Sequence, residues 1–106
     1  LVLGSNSETA YLNEEEKLTL IELTIQTAKN GRTILAGTGL ESTRETIRLT
    51  NMAAKLGAHA ALLLTPNYYL GQMTDEALIS NAAVHAMLVA QAVAARLACM
   101  EVVVLA

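Results

Sequence analysis

The sequence contains no phenylalanine and no tryptophan, and its aromatic residues are Tyr11, Tyr68 and Tyr69. A chain of 106 residues that is 53% hydrophobic must then build its core from Leu, Ile, Val, Ala and Met. That aliphatic, alanine-rich character suits stacked parallel βα layers. Cysteine occurs once, at Cys99, which excludes an intramolecular disulfide and any thiol set with metal-ligand spacing. The expected compartment is a reducing one, cytoplasmic or the mitochondrial matrix. Charge is sparse, at 16% of residues with a net value of −3, and Lys and Arg form no cluster. Such a surface cannot neutralise a phosphate backbone or an anionic bilayer, so neither nucleic acid nor membrane is an expected partner. Residues 1–106 carry no low-complexity stretch or linker and are taken as a single segment. No Met precedes Leu1, and no signal-peptide pattern is present. The apolar tail over residues 81–106 is not expected to span a bilayer. His85, Gln91, Arg96 and Glu101 interrupt it, and a span needs about 20 residues almost free of such groups.

Strands are predicted at Leu1–Gly4, Thr33–Ala36, Ala60–Leu64 and Val102–Leu105, with helices between them. The first helix should run from Asn13 to about Asn30. Asn13 can cap its amides, and Glu14, Glu15 and Glu16 occupy the positive first turn. Leu18, Ile21, Ile25 and Ala28 form its apolar stripe, and Gly31 stands where a left-handed C-terminal cap belongs. The second helix opens with Ser42-Thr43-Arg44-Glu45, a capping-box pattern, buries Leu49, Met52, Ala53 and Leu56, and stops at Gly57. A last helix should start after Thr74, with Asp75 and Glu76 in its first turn, and continue to about Ala98. Strands alternating with helices imply parallel pairing through right-handed crossovers, hence an α/β fold.

Two strand ends carry chemistry-bearing groups. LVLGSNSE runs an aliphatic strand into Gly4-Ser5-Asn6-Ser7-Glu8, and TPNYY at Thr65–Tyr69 repeats the layout later in the chain. Hydroxyl and amide groups at one strand's C-terminal end, with tyrosines at another's, are how a βα barrel assembles a substrate site. Between them lie AGTG (Ala36–Gly39) and ESTRETIRLT (Glu41–Thr50). These segments, in this order, resemble the pyruvate-dependent, Schiff-base-forming aldolases and lyases. That family includes dihydrodipicolinate synthase, N-acetylneuraminate lyase and 4-hydroxy-2-oxoglutarate aldolase. The likeness is greatest to the last, because a single residue, Asn67, stands between Pro66 and the tyrosines. It runs from Leu1 to about Ser80, and residues 81–106 depart from the pattern.

The resemblance implies a partial TIM (β/α)8 barrel, about strands two to five, from an enzyme that makes or breaks a carbon–carbon bond in a small 2-oxo acid. It implies a homo-oligomer, dimer or tetramer, and no cofactor or metal. Ser5 and Asn6 fall on the positions that hold the substrate carboxylate, and a hydroxyl and an amide can both donate to an oxyanion. Ser5 and Tyr68 fall on the proton-relay positions, with Tyr68 inserted into a neighbouring subunit's site. A phenol can donate and accept at once. The alternative for Ser5 and Asn6 is an ordinary loop, and for Tyr68 a surface aromatic used in subunit packing, a role that suits Tyr69 better. Ser7 replaces a usual glycine, at a cost on the order of 1 kcal/mol if its φ must be positive. Glu8 is expected to be structural.

The chemistry also needs a neutral lysine at a strand end. Lys17, Lys29 and Lys55 all fall on predicted helices. In the family this lysine comes from a later strand, so no Schiff-base lysine is assigned within these residues and the segment alone is expected to be inactive. Gly37-Thr38-Gly39 reads as a tight strand-to-helix connection in preference to a phosphate nest. His59 reads as a loop residue, His85 as a polar helix position and Cys99 as an inert thiol. Two other classes stay open: a non-catalytic α/β assembly module, and a small flavodoxin-like domain binding a nucleotide at the Gly37–Gly39 turn.

Overall fold

The computed structural model describes residues 1–28, 31–64, 74–77 and 79, together with the backbone of residues 101–105. Its strands are β1 (Leu35–Gly37), β2 (Ala60–Leu64) and β3 (Glu101–Leu105), in the sheet order β1-β2-β3, all parallel. Leu35 pairs with Ala60, and Ala60 with Glu101. β2 is buried from Ala60 through Leu63. A strand buried without alternation is covered on both faces, as in a parallel α/β sheet.

The predicted strand at Leu1–Gly4 contracts to one parallel bridge, Val2 to Ala36. Val2 donates to the Leu35 carbonyl at 2.9 Å and accepts from the Gly37 amide at 2.8 Å. Extension stops there because Leu3 takes a left-handed φ of 59°. That conformation costs a bulky residue of order 1–3 kcal/mol, and it leaves the Leu3 side chain in the core beside Ile21, Ala36, Ala53 and Ala58.

Helix α1 (Glu14–Thr27) is capped by Asn13, which accepts from the Glu16 amide at 2.9 Å while the Glu16 carboxylate accepts from the Asn13 amide at 2.8 Å. The full capping box thus belongs to α1. At α2 (Thr43–Leu56) only half of the predicted box forms. Ser42 accepts from the Glu45 amide at 3.5 Å, but the Glu45 carboxylate takes the Arg48 Nε at 3.1 Å. Arg48 reaches across to Glu14 of α1 as well, tying the two helices at their N-terminal ends. The Glu45 hydrogen bond, followed by the Glu14 charge, raises the Arg48 pKa above its ordinary value.

α1 stops at Thr27, earlier than Asn30, and Gly31 takes its φ of 82° beyond the helix end, so it is not the cap. The hydroxyls of Thr24 and Thr27 bond back to the carbonyls of Leu20 and Leu23, both at 2.7 Å. Back-bonding of this kind competes with the helical ladder. The deepest residues of α1 are Ile21 and Lys17, the latter only 9% exposed, while Leu18 is half-buried. The i, i+4 line is therefore Lys17–Ile21–Ile25, and a lysine stem can lie along apolar surface. α2 ends as expected at Gly57, whose φ of 107° lets the Ala58 amide return to the Ala53 carbonyl at 3.0 Å. Helical residues resume at 75–77 and 79, and the rest of the predicted last helix, with His85 and Cys99, lies outside the described residues. Among the described residues no helix is long and apolar enough to cross a membrane.

Candidate functional site

Parallel strands point their C-terminal ends the same way, so the chain after Val2, after β1 and after β2 emerges on one side of the sheet. Ser5 and Asn6 sit there on a 3₁₀ turn, Ser5–Ser7, directly after Gly4. Both are exposed, and neither side chain is tied up in a hydrogen bond among the described residues. The turn is held by Ser7, whose amide and hydroxyl both donate to the Gly4 carbonyl, at 2.9 and 2.5 Å. Ser7 does not adopt a positive φ, so the cost expected for a residue in place of glycine does not arise. The left-handed position falls on Glu8, φ 55°, which joins this turn to a second one at Thr9–Tyr11. Glu8 accepts from the Tyr11 amide through its backbone carbonyl at 2.9 Å. Thr65, Pro66, Asn67, Tyr68 and Tyr69 lie outside the described residues, which reach the start of that segment at Leu64.

AGTG and the second helix meet beneath this turn. Thr38 and Thr50 are both 0% exposed, and their hydroxyls lie 2.6 Å apart. One turn earlier on α2, Thr46 accepts from the Leu40 amide at 2.9 Å, and its single proton can go to the carbonyl of Leu40 or Ser42, each at 3.0 Å. The expected α2 face of Leu49, Met52, Ala53 and Leu56 omitted these threonines, although their i, i+4 spacing beside Leu49 and Ala53 placed them on it. Gly37 donates to the Val2 carbonyl and Thr38 to the Leu62 carbonyl at 3.1 Å. Those amides are spent on the neighbouring strands, so the turn is a tight connection and is not a phosphate nest.

Lys17 is buried on α1 and Lys55 is exposed in the last turn of α2, so neither stands at a strand end, and Lys29 lies outside the described residues. His59 lies before β2 as expected but has a definite task. Its Nδ1 accepts from the Ile34 amide at 3.1 Å, and its own amide donates to the Ile34 carbonyl at 2.9 Å. Beside it is a cavity of about 400 Å³ lined by Ile25, Arg32, Thr33 and Ile34, at the opposite end of the sheet from Ser5. No group of three His, Cys, Asp or Glu that could hold a metal occurs among the described residues.

The model of the dihydrodipicolinate synthetase family matches residues 1–88. The chain belongs to that family. The match reaches slightly past Ser80, where the resemblance in the sequence was expected to fade. The 4-hydroxy-tetrahydrodipicolinate synthase of Geotalea daltonii is 42% identical over 91 residues, which are 86% of this chain and 29% of that enzyme. The same-named enzyme of Methylococcus capsulatus is 40% identical over 93 residues, 88% of this chain and 30% of that one. Among solved structures, a chloride-inhibited dihydrodipicolinate synthase from Acinetobacter baumannii, in complex with pyruvate, superposes with a TM-score of 0.75 at 36% identity over 93% of this chain and 31% of its own. YagE, a family protein from Escherichia coli K12 also in complex with pyruvate, superposes at 0.77 with 27% identity, over 97% and 31%. This chain thus spans about 30% of the length of these relatives. Its parallel βα units form a partial TIM barrel.

Proposed function

We propose that this chain is part of a Schiff-base lyase that cleaves or forms a carbon–carbon bond in a 2-oxo acid, with Ser5 and Asn6 gripping the substrate carboxylate. The observation that carries this reading is the Ser5–Ser7 turn: a hydroxyl and an amide, both uncommitted among the described residues, presented at the C-terminal end of a parallel βα sheet, where barrels of this kind place their chemistry. Family relatives crystallised with pyruvate support a small 2-oxo acid as the ligand.

In this reading a neutral lysine amine adds to the substrate ketone, and loss of water leaves an imine. A 4-hydroxy-2-oxo acid then gives up its C4 hydroxyl proton to the relay of Ser5 and Tyr68. The C3–C4 bond breaks, its electron pair passing to the protonated imine. The aldehyde leaves, the enamine is reprotonated at C3, and water releases pyruvate. The lysine has no counterpart at a described strand end and belongs to a part of the parent enzyme beyond these residues, so the segment alone is inactive. The residue between Pro66 and Tyr68 favours a 4-hydroxy-2-oxoglutarate substrate, whereas the curated relatives named above are 4-hydroxy-tetrahydrodipicolinate synthases. The parent works as a homo-oligomer in a reducing compartment, with Tyr68 completing a neighbour's site.

Borohydride reduction of the full-length protein carrying this segment, in the presence of pyruvate, should give one stoichiometric adduct per chain by intact mass. Its absence, with the protein folded, would overturn the Schiff-base reading.

A further inference from the structure

Two close approaches fix where the site-bearing segments leave the sheet. A β-carbon at Gly37 would stand 2.0 Å from the Leu3 carbonyl oxygen and 3.3 Å from the Gly4 nitrogen, the residues that launch the Ser5–Ser7 turn. One at Gly39 would stand 2.5 Å from the Leu64 nitrogen, where β2 hands over to the segment holding Tyr68. The Gly37–Gly39 turn is therefore wedged between the two backbones that supply the proposed relay. What holds the wedge at its height is a buried contact from outside the sheet: the hydroxyl of Thr38, at its centre, bonds to that of Thr50 on α2 at 2.6 Å. Thr46 fastens the residue after the turn, Leu40, through that residue's backbone amide and carbonyl. α2 thus sets the turn, and the turn sets the spacing of the Leu3–Gly4 backbone from that of Leu64.

We propose that Thr38 and Thr50 are positioning residues for the carbon–carbon bond chemistry, acting through the Gly37–Gly39 turn on the separation of the Ser5–Asn6 turn from the end of β2 at Leu64. The inference rests on the lyase reading above. Neither threonine touches substrate, and both are fully buried. Their effect is one of placement, and misplacement of about 1 Å can cost on the order of 10²-fold in rate.

The test uses the full-length enzyme, assayed for cleavage of 4-hydroxy-2-oxoglutarate well below the melting temperature of every variant. Thr50→Val strands the Thr38 hydroxyl and should lower both stability and kcat, the latter by roughly tenfold or more. Thr50→Ser should restore most of each. The double variant Thr38→Val/Thr50→Val removes both hydroxyls and leaves no unpaired buried group, so its melting temperature should recover. Its kcat should stay low, while pyruvate trapping by borohydride remains complete. Recovery of kcat together with stability in the double variant would reduce the pair to a packing contact and overturn the proposal. Ser5→Ala in the same series separates the two claims. If Ser5→Ala leaves kcat unchanged, the lyase site itself is misassigned. If Ser5→Ala is slow and the double threonine variant is not, only the positioning inference fails.

Discussion

The α-carbon of Gly39 faces the backbone of Leu64 so closely that a β-carbon would stand 2.5 Å from the Leu64 nitrogen, and backbone atoms cannot move aside as a side chain can. Gly39→Ala should therefore force the β1 and β2 ends apart and destabilise the fold by about 1–3 kcal/mol, the usual range for overpacking. Gly4→Ala is the control, since its nearest contact would be the flexible Cδ2 of Leu1 at 3.1 Å, on an exposed side chain. Its loss should be smaller. Urea unfolding midpoints of the two variants check this, and equal losses would mean that the close approach is not tight in solution.

The two helix caps differ in kind. Asn13 and Glu16 satisfy each other's amides at 2.9 and 2.8 Å, whereas Ser42 reaches the Glu45 amide at 3.5 Å with nothing returned. Asn13→Ala should cost about 1 kcal/mol, as loss of a good cap does, and Ser42→Ala clearly less. The same unfolding experiment reads both. A larger loss at Ser42 would show that its bond to α2 is stronger than its length suggests.

Much of this was legible in the sequence because it is local. The Asn13 cap, the Gly57 stop and β2 at Ala60–Leu64 follow from capping chemistry and from an unbroken apolar run, which need no knowledge of the rest of the fold. The placement of Ser5 and Asn6 after a strand-like segment also followed from the order of residue types, though the strand itself shrank to a bridge at Val2. What escaped was decided by tertiary partners. Glu45 had two claimants, the Ser42 amide and the Arg48 guanidinium, and the presence of Glu14 on the neighbouring helix helps the second to win. Thr46 and Thr50 share the spacing of the buried α2 face, but a hydroxyl there needs a partner, which AGTG and the residue after it supply. Lys17 falls on the buried line of α1, where hydropathy alone would put Leu18.

The isolated 106-residue chain should form no stable imine with pyruvate. Lys55 is exposed at the end of α2 and Lys17 is buried on α1, away from the strand ends that would align an amine with the Ser5–Asn6 turn. Borohydride reduction of the chain with pyruvate, followed by peptide mass mapping, is the measurement. A stoichiometric adduct on Lys17, Lys29 or Lys55 would show that one of these lysines reaches the turn after all.

In the full-length parent, Ser5→Ala and Tyr68→Phe should each lower turnover by roughly 10²-fold or more, since proton transfer by a positioned group contributes about 10²–10⁴. Both should still trap pyruvate, because imine formation depends on the lysine and not on the relay. For Ser5 the structural ground is a hydroxyl on an exposed turn at the C-terminal side of the sheet, uncommitted among the described residues. For Tyr68 the ground is sequence: it matches the relay position of the aldolases that the TPNYY segment resembles, and Tyr69 beside it does not. Tyr69→Phe should accordingly be mild and act mainly on assembly. Steady-state kinetics of the three variants, with sedimentation to confirm the subunit state of each, decides between the tyrosines. Near-normal turnover in an intact Tyr68→Phe oligomer, with turnover lost in Tyr69→Phe, would move the relay to Tyr69. If both phenylalanine variants and Ser5→Ala turn over normally, the relay assignment falls as a whole, and Ser5 and Asn6 keep at most the task of holding the carboxylate.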